Sequence, residues 1–143
     1  MSRVIKSKYS SAGELLFLHA DLSTKKTEFI TKNDFLLQVG KLIFPKNYSV
    51  RKHKHSTTIR KIPYTAEVLF VVSGKIKYRI WDYLQVSKMI EEGIASKGEV
   101  LVLGKVGHSF ETLSKVKIIE VKQGPYLGRI DKLFEEKEEA RNK

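Results

Sequence analysis

The chain has 143 residues and no cysteine, which gives one domain with room for a sizeable core and rules out disulfide or thiol chemistry. Hydrophobic residues at 41% and charged residues at 30% are the proportions of a soluble globular protein, and no apolar run approaches the ~20 residues a membrane helix needs. The net charge of +11 invites a nucleic-acid reading, but the lysines are scattered at polar positions between apolar ones, as on a solvated surface; neither nucleic acid nor membrane is expected as a partner.

In chain order, residues 1–10 are basic and polar and read as a loose arm. They lack the apolar core of a signal peptide, so a cytoplasmic protein is the simplest reading. Residues 14–19 are short and apolar and predict a strand. It ends on His19, which is expected to be structural because a lone histidine in an apolar strand rarely serves a site. Residues 36–44 read as a second strand, stopped by the turn chemistry of Pro45-Lys46-Asn47. A strand carrying His53 and His55 follows. From Glu67 to Trp81 two strands flank Ser73-Gly74-Lys75, a hairpin signal. In the second, Ile76, Tyr78 and Ile80 share one face and Lys75, Lys77 and Arg79 the other, the period-two pattern of a half-buried antiparallel strand. Residues 81–92 show no clear period and read as a strand end and variable loop. Residues 98–103 are a strand, 104–107 a glycine-rich turn presenting His108, and 116–122 the last clear strand. The tail from Asp131 is charged and helix-prone. About eight to ten short strands at regular spacing predict an all-β sandwich or barrel.

The chemistry concentrates between Asn47 and Gly74. His53 and His55 stand two apart, so on an extended strand both imidazoles share a face. Glu67 opens the β-branched and aromatic run that closes at Gly74, and His108 lies far downstream. Two imidazoles, a carboxylate and a distant imidazole form a donor set for a divalent metal with open positions.

These residues resemble the cupin superfamily. Its first motif is Gly, five residues, His-x-His, three or four residues, Glu, six residues, Gly. Asn47 stands for the first Gly, five residues before His53-x-His55, and Glu67 precedes Gly74 by six. Asn tolerates the left-handed turn conformation that such a Gly supplies. The gap from His55 to Glu67 is longer than the family's and reads as an extended loop at the barrel mouth. The second motif is followed loosely by Gly98, Gly104, Gly107 and His108. Its Pro is absent and Thr112 stands where Asn is usual.

The resemblance covers about residues 36–122 and implies a single-domain double-stranded β-helix, or jelly roll, with N-terminal strands over 14–35 and a C-terminal tail over 123–143 that ends in a short charged helix. It implies His53, His55, Glu67 and His108 as ligands of Fe, Mn, Ni or Zn. It also implies a metal-dependent enzyme, isomerase- or epimerase-like, acting on a small anionic or sugar-linked substrate. The alternative is a non-catalytic module that binds a sugar or small metabolite. Tyr64, Lys105 and Tyr126 are the acid–base candidates. Arg51, Lys52, Lys54, Arg60 and Lys61 form a basic rim suited to an anion. Both faces of residues 68–72 are apolar, so this strand should be covered on both sides, and a homodimer is expected.

Overall fold

A computed structural model of the chain describes residues 3–134. Every regular element of length is a strand, in the order β1 (Arg3–Tyr9), β2 (Leu15–Asp21), β3 (Glu28–Phe29), β4 (Gly40–Lys41), β5 (Glu67–Ser73), β6 (Lys75–Trp81), β7 (Met89–Ser96), β8 (Glu99–Leu103), β9 (Gly107–Thr112) and β10 (Lys117–Lys122). A 3-10 turn at Gly128–Asp131 follows. The pairings are all antiparallel: a five-stranded sheet ordered β1-β2-β8-β5-β10, a three-stranded sheet ordered β7-β6-β9, and the short β3-β4 pair. The all-β expectation is met. The charged helix expected in the tail lies largely outside the described residues.

Side-chain parity explains how the layers stack. In β8, Leu101 and Leu103 face the three-stranded sheet and form one cluster with Phe17, Leu69 and Val71 of their own sheet and Ile76, Tyr78 and Ile80 of the facing one. Val100 and Val102 face the other way, onto Leu18, Ala20, Phe35 and Val68. The central strands are therefore apolar on both faces, as strands covered on both sides must be. The second cover is supplied by the same chain. Residues 22–39 wrap the outer face with Leu22, Ile30, Phe35, Leu37 and Val39, pinned by Thr31, whose hydroxyl donates to Leu37 O at 3.1 Å and accepts from Val39 N at 3.0 Å. The double burial expected of residues 68–72 is thus met within one protomer. It no longer argues by itself for a dimer.

Several expectations give way. The segment before residue 10 is not a loose arm but strand β1, paired with β2. Its lysines mark an edge strand, and charged residues on edges are a common guard against stray pairing. The strand expected over 36–44 shrinks to Gly40–Lys41; Leu37 and Val39 are instead spent on covering the five-stranded sheet. No hairpin joins β5 to β6. The two strands belong to different sheets, and Gly74 is the corner where the chain crosses between layers. It holds φ +82, and a Cβ there would run into the carbonyl oxygen of Lys115 and lie 2.7 Å from Val116 Cγ1, so only glycine suits the corner. Strand β7 lies in the segment read as loop. Its period is hidden because Glu91 and Glu92 are held by Lys6, Lys77 and Arg79 at 2.9–3.6 Å, while Gly93 leaves room for the Tyr78 ring.

The largest departure concerns the histidine strand. Residues 49–63 form no strand, and every residue of 42–63 is exposed. The segment holds many cations and no acid, and no hydrogen-bonding strand lies beside it, so nothing in one chain orders it as a ladder. Its turn chemistry does follow expectation. Asn47 adopts φ 64, Tyr48 N donates to Pro45 O at 3.3 Å, and Phe44 and Tyr48 stack at 4.6 Å.

Candidate functional site

Glu67 is the first residue of β5 and has the parity of Leu69 and Val71, so its side chain enters the space between the two sheets. On the facing sheet, β9 sets His108 opposite Ile80 of β6. The imidazole Nε2 and Glu67 Oε2 meet at 3.0 Å, with 12% of the Glu67 side chain and 33% of the His108 side chain exposed. The pair bridges the sheets at the rim, covered but open to solvent on the histidine side. Lys122, the register partner of Glu67 on β10, places Nζ 3.9 Å from Glu67, 3.4 Å from Glu120 and 3.6 Å from Asp131. The hydrogen bond from His108 holds the Glu67 carboxyl below its ordinary value, with Lys122 assisting, and together they outweigh the opposing effect of burial.

Of the three acid–base candidates, the contacts tie only Tyr126 to this pair. Tyr126 is largely exposed, with its ring 5.9 Å from Lys122 Nζ, which ties it to the Glu67 side of the cluster. Lys105 lies over the Tyr83 ring at 5.1 Å. Tyr64 packs against the outer-face cluster, on the side of the sheet away from Glu67, and burial followed by Glu14 pushes its phenol up.

His53 and His55 stay together, their rings 5.5 Å apart, with His53 Nδ1 hydrogen-bonded to Arg51 O at 2.8 Å. They ride on the exposed segment with Arg51, Lys52, Lys54, Arg60 and Lys61. The four expected ligands therefore form two pairs, His53–His55 and Glu67–His108. Among the described residues no three His, Cys, Asp or Glu side chains converge as a metal group. The donor chemistry suits a divalent ion; the placement within one chain does not, because the two pairs do not meet.

Lys122, Asp131 and Gln123 escaped the sequence reading. Gln123 Oε1 accepts from Ala66 N at 2.7 Å, fixing the entry to β5, while its Nε2 is buried without a partner among the described residues. The signal for Lys122 was its place closing the last strand, which lets it pair with the Glu that opens β5. A second polar link crosses the sandwich at His19, which is buried. With Nε2–H donated to Glu99 Oε2 at 2.9 Å, Nδ1 is left to accept the Tyr78 hydroxyl at 3.0 Å. Burial, then Glu91 and Glu99, pushes the Tyr78 phenol well up, so it stays protonated and able to donate. Between β1 and β7 an open cleft of about 530 Å³ is lined by Lys6, His19, Tyr78 and Glu91.

No family model matches the chain, and neither a curated protein nor a solved structure matches it significantly. Among the described residues no helix is long and apolar enough to cross a membrane.

Proposed function

We propose that the chain is a jelly-roll protein of the cupin kind that binds a small anionic or sugar-linked molecule at the rim formed by Glu67, His108 and Lys122. The observation that carries this reading is the 3.0 Å Glu67–His108 bridge, which joins two sheets at a partly open edge with a cation beside it. A carboxylate that orients an imidazole makes a proton acceptor at a carbon next to a carbonyl, and Lys122 supplies positive charge for the anion that forms. An isomerase- or epimerase-like reaction uses those two functions. Tyr126, whose ring lies 5.9 Å from Lys122 Nζ, is the acid candidate that contacts this cluster. A divalent metal held by His53, His55, Glu67 and His108 would add Lewis acidity.

The alternative reading, a binding module without catalysis, is favoured by the separation of the histidine segment from the Glu67–His108 pair. Titration with UDP-glucose and with glucose 6-phosphate, followed by isothermal calorimetry and by proton–deuterium exchange at the sugar carbons, separates the two. Binding with exchange supports the enzyme, and binding without exchange supports the module. No binding that is lost in His108→Ala, for either probe, contradicts the placement of the site.

A further inference from the structure

The segment 42–62 is long, free of strands and fully exposed, and it carries Leu42, Ile43, Phe44, Tyr48, Val50 and Ile59 in solvent, Ile59 at 99% exposure. On the body of the protein, four strands end the two large sheets without a second neighbour among the described residues, β1 and β10 in one and β7 and β9 in the other; β9 and β10 are the two that carry residues of the site, His108 and Lys122. Open edges of this kind present unpaired N–H and C=O groups and accept an added strand. Both edges are apolar in part, with Phe110 on β9 and Ile119 and Val121 on β10 about half exposed. Just past β10, Gln123 keeps its buried Nε2 without a partner among the described residues. One chain thus displays a long exposed segment, held at its start by the Thr27–Ile43 hydrogen bonds, and sheet edges without a further neighbour among the described residues.

We infer that the two are complementary between copies: segment 42–62 of one protomer lies along the β9 edge of a second, so that His53 and His55 of one chain meet Glu67 and His108 of the other. The inference rests on the site proposed above and gives it its missing half. Parity supports it, because in a strand added to β9 the residues opposite His108 and those two away from it share its face. His53 and His55 therefore share a face, and a register that sets either of them opposite His108 brings both to its side. An antiparallel register that sets His55 opposite His108 also sets Arg51 opposite Thr112. The occupant is a second copy because past Ile43, which Thr27 holds, the segment is exposed along its length and joins no sheet of its own chain, and two-fold exchange satisfies both segments and both edges with one set of contacts. Residues 42–62 exchanged reciprocally engage about twenty residues a side, the extent of an interface of standard size, about 1,600 Å² in total.

The test mixes two inactive chains. A His53→Ala/His55→Ala chain and a His108→Ala chain, carrying different tags, are unfolded together, refolded, and purified through both tags, and Zn²⁺ per dimer is measured after dialysis. If sites form between copies, one of the two sites in the mixed dimer has all its ligands, so it holds half the metal of the parent dimer while each variant alone holds little. If sites form within a chain, the mixed dimer holds none, and the inference is overturned. A parent chain that is monomeric by light scattering overturns it as well. Should the parent bind no Zn²⁺, the metal reading fails by itself, and the exchange is read separately from cysteines. The chain has none of its own, so Arg51→Cys in one tagged chain and Thr112→Cys in the other report directly. A disulfide between the two tags supports exchange; a disulfide only when both cysteines share one chain overturns it.

Discussion

Tyr78→Phe removes a single oxygen from the centre of the sandwich. In the parent, the Tyr78 hydroxyl donates to His19 Nδ1 at 3.0 Å, and the rings meet edge to face with centroids 5.2 Å apart. Both residues are 1% exposed, on the lining of the cleft between β1 and β7. The ring and its packing survive the substitution, and what is lost is the partner of a buried imidazole nitrogen. Leaving such a group unsatisfied costs about 1–3 kcal/mol. With a urea slope of about 2 kcal/mol per molar, the unfolding midpoint should fall by roughly 0.5–1.5 M with the slope unchanged. Trp81, the one tryptophan, reports the transition by fluorescence.

Gly93→Ala is the companion. Its new Cβ would stand 2.5 Å from the Tyr78 oxygen and 2.7 Å from the ring carbon that bears it, an overpacking cost of about 1–3 kcal/mol. In the double variant the oxygen contact is gone, so the two costs should sum to more than the double variant shows, by about 0.5 kcal/mol or more. A Tyr78→Phe midpoint within error of the parent would refute the reasoning, because it would mean that His19 does not depend on the hydroxyl.

Gly74→Ala should destabilise by about 2–4 kcal/mol, since it adds left-handed strain to a collision with the Lys115 carbonyl; thermal unfolding checks it, and a loss below 1 kcal/mol contradicts the sheet-crossing corner. Glu67 has a carboxyl held below its ordinary 4.5, so its stabilisation is complete above about pH 4.5 and fades as pH falls through the lower folded value. The stability gap between parent and Glu67→Gln should therefore close as pH falls below 4.5 in urea titrations. Metal affinity, measured with Zn²⁺, should fall as pH drops through about 6 to 5, because imidazole ligands must be neutral to bind. His53→Ala, His55→Ala and His108→Ala should each lose most bound metal after dialysis with unchanged circular dichroism, while His19→Ala should keep its occupancy.

What the sequence disclosed follows from how each residue is used. β6 was legible because Ile76, Tyr78 and Ile80 alternate with Lys75, Lys77 and Arg79, and the structure buries the first set, exposes Lys75 and leaves Lys77 and Arg79 half-buried. β5 and β8 were legible as continuous apolar runs because both of their faces are covered. β1, β7 and β9 were not. Each is an edge strand, and its pattern is written by ion pairs, by a glycine opposite an aromatic ring, or by solvent on one side. The crossing at Gly74 was read as a hairpin because a positive φ serves either turn, and the choice between them depends on Lys115 and Val116, some forty residues away. At the site, the motif reading brought Glu67 and His108 to one place, and they are in contact. It set His53 and His55 beside them on a strand, whereas the structure leaves them on an exposed segment that forms no strand.

The sandwich holds two His–Glu pairs, His19–Glu99 within the five-stranded sheet and His108–Glu67 between the sheets, and their surroundings assign them different work. His19 and Glu99 lie deep, with side chains 2% and 18% exposed, and Tyr78 closes the remaining ring nitrogen. Every polar atom of that imidazole is engaged, so the link stabilises the fold and leaves no group free to meet a ligand. His108 and Glu67 stand at the rim, where the histidine is one-third exposed, on an edge strand, beside a lysine that already balances three carboxylates. Parity put both histidines between the sheets. Depth separates a satisfied strut from a group that can still exchange a proton or accept a ligand, and depth follows from pairing: β2 is flanked by β1 and β8, whereas β9 has β6 on one side alone. The open edge that hid β9 in the sequence is therefore the feature that leaves His108 available.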